Sequence, residues 1–280
     1  MAPSLAYCIA LGKVVVVAGP TASGKSAHAL KLAKERDGVI LNADSLQVYR
    51  GLEILTAQPQ ADAIHRLYGF LDLTETCSAG KWLDLVLPEI RRVLDEGKLP
   101  IVVGGTGLYL KVLMEGMPTM PPSNLDIRQQ LENQDQEDLY IQLLYKDPNL
   151  ASHINPNDRQ RTLRGLEVFY SSGKPLSAWQ TETPMCTPFE FEKILLMPSP
   201  AELEVHIATR IDQMLEQGVL DEVRAALAAG PSPTAMKAIG LREFGAYLAG
   251  ECTLEQAKEL TLIHTRQYAK RQRTWFRHQF

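Results

Sequence analysis

The chain predicts an α/β protein, with a parallel, doubly wound sheet core interrupted by a helical insertion. Three observations carry this reading. Apolar runs of strand length alternate with segments of helical period. The first run, Lys13–Gly19, passes through four successive valines, as a strand covered on both faces requires. A proline-rich stretch at 116–124, GMPTMPPSN, then separates the alternating part from a long all-helical one.

The elements follow in order. After the first strand, Ser26–Arg36 reads as a helix, with Ala29, Leu32 and Ala33 at helical spacing. Gly38–Asn42 is a second short strand ending at Ala43-Asp44-Ser45, and Leu67–Leu73 is a candidate for another. Ser78–Lys98 is a helix: Ser78 suits the N-cap, Trp82, Val86, Ile90, Val93 and Leu94 share a face, and Pro88 can bend it. Pro100–Val103 is a strand that runs into Gly104-Gly105-Thr106-Gly107, and a helix begins near Leu108. Residues 124–182 read as helices, and Glu192–Met197 reads as one more core strand. Helices fill the rest, the last running from about Thr253 to Arg277 and becoming increasingly basic. The core is thus expected at 1–118 and 191–280, and the insertion at 119–190.

The bulk numbers exclude several classes. A chain of 280 residues with 45% hydrophobic and 22% charged content can bury a sizeable core. A net charge of −4 is not that of a polycation, so any nucleic-acid role must rest on local basic clusters. Cys8, Cys77, Cys186 and Cys252 are scattered without a C-x-x-C pair, and the six histidines lack metal-ligand spacing. No run approaches the ~20 apolar residues of a membrane span, and the N-terminus lacks the basic region of a signal peptide. A cytoplasmic protein without membrane association is expected.

The chemistry lies at the strand ends. Gly19-Pro20-Thr21-Ala22-Ser23-Gly24-Lys25-Ser26 fits G-x-x-x-x-G-K-[ST] and sits between a strand and a helix, as a P-loop must. Its glycines let backbone N–H groups converge on phosphate oxygens, the helix N-terminus adds partial positive charge, and Lys25 adds a full one. The Ser26 hydroxyl is placed to ligate Mg²⁺. The cradle implies a di- or triphosphate, without implying nucleotide hydrolysis. The strand 100–103 ends in Gly-Gly-Thr-Gly rather than the aspartate of a P-loop hydrolase, so Asp44 is the carboxylate at a neighbouring strand end. It can contact a metal indirectly or serve as a base toward an acceptor, and the second role suits a transferase.

The segments GPTASGKS, NADSLQVYRGLEILTAQP, VGGTGLY, INPNDRQRTLRGLEVFYSSGKPL and TRQYAKRQRTWFR, in that order, resemble the bacterial tRNA dimethylallyltransferases over nearly the whole chain. That resemblance implies a P-loop α/β core with a helical insertion. It implies transfer of a dimethylallyl group from dimethylallyl diphosphate to N6 of the adenosine 3′ to the anticodon, in tRNAs reading codons that begin with U. By the same resemblance, Gly19–Ser26 would bind the donor diphosphate with Mg²⁺, joined by Arg224 in LDEVRAAL. Asp44 would take the N6 proton, and Thr106 would hydrogen-bond the leaving diphosphate. Asp44, Ser45, Leu46 and Gln47, with Arg128, Gln160, Arg161, Thr162, Leu163 and Arg164, would touch the anticodon stem-loop of the tRNA. A monomer is expected.

Two positions depart from the family pattern: Gln58 stands where a lysine is common, and Leu241 where a tyrosine is common. Both bear on tRNA affinity rather than on the reaction. Alternative readings are a small-molecule kinase, a prenyltransferase acting on free adenine nucleotides, and a nucleotide-binding module without catalysis. The last helix, with Arg266, Lys270, Arg271, Arg273, Arg277, Trp275 and Phe276, reads either as a surface amphipathic helix or as a platform for RNA phosphates.

Overall fold

The structure is a computed structural model that describes residues 11–59, 62, 64–118, 120–181 and 187–280. Cys8 and Cys186 lie outside the described residues. The chain divides into two compact units, Met1–Met114 with Thr187–Phe280, and Glu115–Cys186.

Unit 1 is built on five parallel strands, β1 (Lys13–Ala18), β2 (Gly38–Asn42), β3 (His65–Arg66), β4 (Leu99–Gly104) and β5 (Glu190–Leu195), in the order β3-β2-β4-β1-β5. Val14–Val17 are wholly buried, as the unbroken valine run predicts. Val15, Val17, Ile40, Ile101 and Val103 pack against Ala29 and Ala33 of helix α1 (Lys25–Glu35). Helix α2 (Ala79–Asp95) starts where Ser78 accepts the Lys81 N–H at 3.1 Å, and it buries Trp82, Val86, Ile90 and Val93. Helix α3 (Gly107–Glu115) follows β4 directly.

Two strand expectations change. Residues 67–73 do not form a strand: Leu67 (φ 64°) and Gly69 (φ 52°) adopt left-handed backbone, which breaks extended pairing. The chain pairs instead at His65–Arg66 and in a single bridge between Tyr49 and Leu71. The last strand begins two residues earlier than expected and, among the described residues, lies at the sheet edge, paired with β1. Its charged Glu190, Glu192 and Lys193 suit a strand that is only partly covered.

After β5, unit 1 closes with helices α9 (Pro200–Glu216), α10 (Val219–Ala228), α11 (Leu241–Leu248) and α12 (Leu254–Gln279), with a 3₁₀ turn at Ala235–Lys237. Capping boxes at Ser199 with Glu202 and at Thr253 with Gln256 start α9 and α12. The preceding helices α4 (Leu125–Glu132), α5 (Gln136–Lys146), α6 (Pro148–Ala151), α7 (Arg159–Ser172) and α8 (Leu176–Gln180) form unit 2. They surround a separate core that includes Leu139, Leu143, Leu163, Leu166 and Leu176.

Candidate active site

In unit 1 the carboxyl ends of β1, β2 and β4 lie side by side, with Ala18 opposite Gly104 and Asn42 opposite Val103. This is where an open parallel sheet presents its ligand-binding crevice. Gly19 leaves β1 at φ 152°, and a Cβ there would lie 2.3 Å from the Leu196 carbonyl oxygen, so only glycine fits. Ala22 and Gly24 continue the loop at φ 60° and 84°, and α1 begins without a side-chain cap on its N-terminus. The amides of its first turn face the loop, which is the ordinary arrangement for an anion site.

Two cations serve this loop. Lys25 Nζ donates to Pro20 O at 2.6 Å and to Ser23 Oγ at 3.5 Å, so the ammonium folds back over the cradle. Loss of hydration lowers its pKa to about 8, with the Asp44 carboxylate opposing the shift and Arg210 reinforcing it. Arg210, from α9, donates through Nη1 to Thr21 Oγ1 at 2.9 Å, while its buried Nε has no partner among the described residues. Desolvation also lowers the Arg210 pKa, and Asp44 again opposes. A buried guanidinium N–H lacking an acceptor, next to a phosphate-type loop, is a donor that an anion would satisfy.

The Asp44 loop is fixed from both sides. Asn42 is fully buried; its Oδ1 accepts the Asp44 N–H at 2.8 Å and its Nδ2 donates to Asp44 O and Leu67 O, each at 3.0 Å. Trp82 Nε1 donates to Asn42 O at 2.9 Å. Asp44 Oδ1 accepts the Leu46 N–H at 2.9 Å, closing a local turn. From β4, Thr106 Oγ1 accepts the Ser45 N–H at 2.9 Å and donates to Ser45 Oγ at 3.2 Å. A Cβ on Gly104 would lie 2.1 Å from Ala43 O, so that glycine lets the two strand ends touch. Tyr68, Tyr109 and Tyr268 have pKa values raised by burial, with the Asp44 charge pushing the same way. The Asp44 charge is therefore felt by two cations and by three phenols that burial keeps protonated.

Other expected residues are placed as follows. Ser26 is exposed on the first turn of α1. Gln47 Nε2 donates to Thr56 O and Ala57 O, at 2.9 and 3.2 Å. Gln58, at the position of a common lysine, donates to Tyr49 O at 2.8 Å and so holds the same loop. Arg224 is 62% exposed on α10 and pairs with Asp221 of its own helix, and the arginine with a described bond to the cradle is Arg210. In unit 2, Gln160 and Arg161 are exposed on α7, whereas Thr162 and Leu163 face the core and their side chains hold the helix in place. Arg128 and Arg164 converge on the buried Glu167, at 3.5 and 3.1 Å, and Arg164 Nη2 also donates to Pro121 O at 2.9 Å.

Arg210 and Gln272 also serve the site, although no local motif marks them in the sequence. Gln272 lies on α12 in the buried stripe Ala257, Thr261, Thr265, Ala269, Gln272 and Phe276. A polar amide on an inward stripe was the available signal. Its Oε1 accepts the Thr21 N–H at 2.8 Å, and its Nε2 donates to Gly105 O at 2.8 Å. The aromatics of α12 also face inward, with Phe276 buried and Trp275 lying where a Cβ of Gly107 would be, 2.4 Å from its ring. Arg266 pairs with Glu204 of α9 at 2.9 Å. Among the described residues there is no cluster of three or more His, Cys, Asp or Glu side chains suited to a metal, and no helix long and apolar enough to cross a membrane.

Comparison with known proteins gives one answer. The IPP transferase family matches residues 47–279, and the isopentenyl transferase family matches residues 12–72. A tRNA dimethylallyltransferase of Chelativorans sp. strain BNC1 is 47% identical, over 94% of this chain and 94% of that protein. One of Parvibaculum lavamentivorans is 44% identical, over 96% and 89%. The crystal structure of a eukaryotic dimethylallyltransferase acting on tRNA superposes with a TM-score of 0.82 at 31% identity, covering 95% of this chain and 70% of that one. A tRNA isopentenylpyrophosphate transferase from Bacillus halodurans gives 0.68 at 34% identity, covering 95% and 86%. A match through most of the sequence, shared by a fold whose strand ends carry the cradle and the Asp44 loop, places the chain in the IPP transferase family, alongside the curated tRNA dimethylallyltransferases.

Proposed function

We propose that this chain transfers a dimethylallyl group from dimethylallyl diphosphate to N6 of the adenosine 3′ to the anticodon, in tRNAs reading codons that begin with U. The observation that carries this reading is the position of Asp44, held at a strand end beside the cations of the phosphate cradle. N6 is a poor nucleophile because its lone pair is delocalised into the ring. Attack on the allylic C1 is coupled to loss of the N6 proton, which Asp44 accepts. As the C1–O bond breaks, charge grows on the diphosphate, and the loop amides, Lys25 and Arg210 stabilise it. Thr106 holds the base loop through Ser45 and lies at the end of β4, from which its hydroxyl can turn to the leaving group.

The residues fit Mg²⁺ in the manner of a P-loop. Ser26 is an exposed oxygen donor on the first turn of the helix that follows the cradle, which suits an ion that keeps water and binds phosphate oxygens. Bound there, the ion would neutralise charge on the leaving diphosphate. The exposed Gln160 and Arg161 of unit 2 support a tRNA-contacting role for that unit. The target base must leave its stack to react, as in other base-modifying enzymes.

The test is incubation with dimethylallyl diphosphate, Mg²⁺ and either unmodified tRNA or AMP, followed by mass analysis for prenyl-adenosine. Prenylated tRNA is expected. Transfer to AMP but not to tRNA would replace tRNA with a free nucleotide as acceptor, and ATP turnover without a prenyl donor would favour a kinase.

A further inference from the structure

We propose that Gln272 is a positioning residue that locks the diphosphate cradle to the base-bearing loop as a single frame. This inference rests on the cradle and Asp44 roles proposed above. Gln272 is 6% exposed, and both ends of its amide are satisfied by backbone groups of different loops. Its oxygen takes the N–H of Thr21, in the cradle, and its nitrogen donates to the carbonyl of Gly105. Thr21 is held a second time through its hydroxyl, by Arg210. Gly105 precedes Thr106, whose hydroxyl is bonded to Ser45, the neighbour of Asp44. A short, continuous bonded path therefore joins the leaving-group site to the base, and α12 supplies its central link.

The packing has the same logic. A Cβ on Gly105 would lie 2.3 Å from Gln272 Nε2 and 3.3 Å from Gly19 O. The second contact is tight but tolerable, and the first is with a side-chain end that can give way only by leaving its bonds to Thr21 and Gly105, so the Gln272 amide is the main obstacle to a side chain at position 105. The glycine and the glutamine form a matched pair: one leaves the space that the other fills. An in-line displacement depends on the distance between nucleophile and leaving group, and a shift of about 1 Å can cost about 100-fold in rate. Gln272 acts on that distance without touching either reactant.

The test compares Gln272→Ala, the isosteric Gln272→Glu, Gly105→Ala and the Gln272→Ala/Gly105→Ala double variant of the full chain, with Asp44→Asn as a control. Gln272→Ala should lower kcat by about 10- to 100-fold, with a much smaller change in the KM for dimethylallyl diphosphate, unchanged tRNA binding, and a melting temperature within a few degrees of wild type. Gln272→Glu keeps the acceptor for Thr21 but turns an oxygen on Gly105 O, so it should also lose turnover while remaining folded. Gly105→Ala should be damaging alone and add little in the double variant, because the side chain it strikes is gone. Wild-type kcat in the folded Gln272 variants would overturn the proposal. So would full additivity in the double variant, or a loss explained by a lower folded fraction alone. If wild-type protein transfers no prenyl group, or if Asp44→Asn is as active as wild type, the underlying reading fails instead.

Discussion

At the scale of single residues, the proposed reaction divides its work by charge between Asp44, as base, and Lys25, as cation. Asp44→Asn keeps an oxygen for the Leu46 N–H, so the loop should survive while the base is lost. Turnover should fall by about 10²–10⁴-fold, with tRNA affinity unchanged in a filter-binding or fluorescence assay. Lys25 carries a prediction about pH. Its folded pKa of about 8 lies below the ordinary 10.5, so between those values the unfolded chain holds the extra proton. This group therefore makes the stability of the free protein rise with pH across that window. Affinity for pyrophosphate should move the other way, falling as pH passes 8, because the neutral amine no longer attracts the anion. Calorimetry in buffers of different ionisation enthalpy should show proton uptake on pyrophosphate binding near pH 8, and Lys25→Met should abolish it.

At the scale of elements, close approach and buried charge set the local structure. The run Gly104-Gly105-Thr106-Gly107 reads as a flexible turn, yet its three glycines answer to Ala43, Gln272 and Trp275 respectively. At Gly104 the obstacle is the backbone of Ala43, which cannot rotate away. Gly104→Ala should force β2 and β4 apart, lowering stability by about 2–4 kcal/mol in denaturant unfolding. In α7, Glu167 has a fully buried side chain that accepts from the Asn124 N–H at 2.9 Å as well as from Arg164 and Arg128. Glu167→Gln keeps the size but removes the charge facing two guanidinium groups. A loss of about 1–3 kcal/mol is expected, seen as earlier melting of the helices of unit 2 by hydrogen exchange.

At the scale of the whole molecule, a net charge of −4 means that RNA affinity must come from individual basic residues. Arg161 is 67% exposed and pairs with Asp158 at 3.5 Å, whereas Arg128 and Arg164 are turned onto Glu167. Arg161→Ala should weaken tRNA binding and reduce the slope of log affinity against log salt by about one. Arg164→Ala should act mainly through stability. Salt titration and thermal melting of both variants separate the two effects.

The valine run, the helix cap at Ser78 and the P-loop were legible in the chain because short-range rules govern them: side-chain period, capping chemistry and the backbone freedom of glycine. The distinctive segments also carried the family resemblance. Sequence did not give the placing of residues 67–73, where two left-handed positions override an apolar pattern, or the edge position of β5, which depends on what lies beside it. Above all it did not give Arg210 and Gln272, which reach Thr21 from 189 and 251 positions away along the chain. A local pattern can specify a strand, a turn or a cap, because the partners are neighbours in sequence. Which arginine and which amide meet the phosphate loop is decided only when α9 and α12 come against the loops at the strand ends.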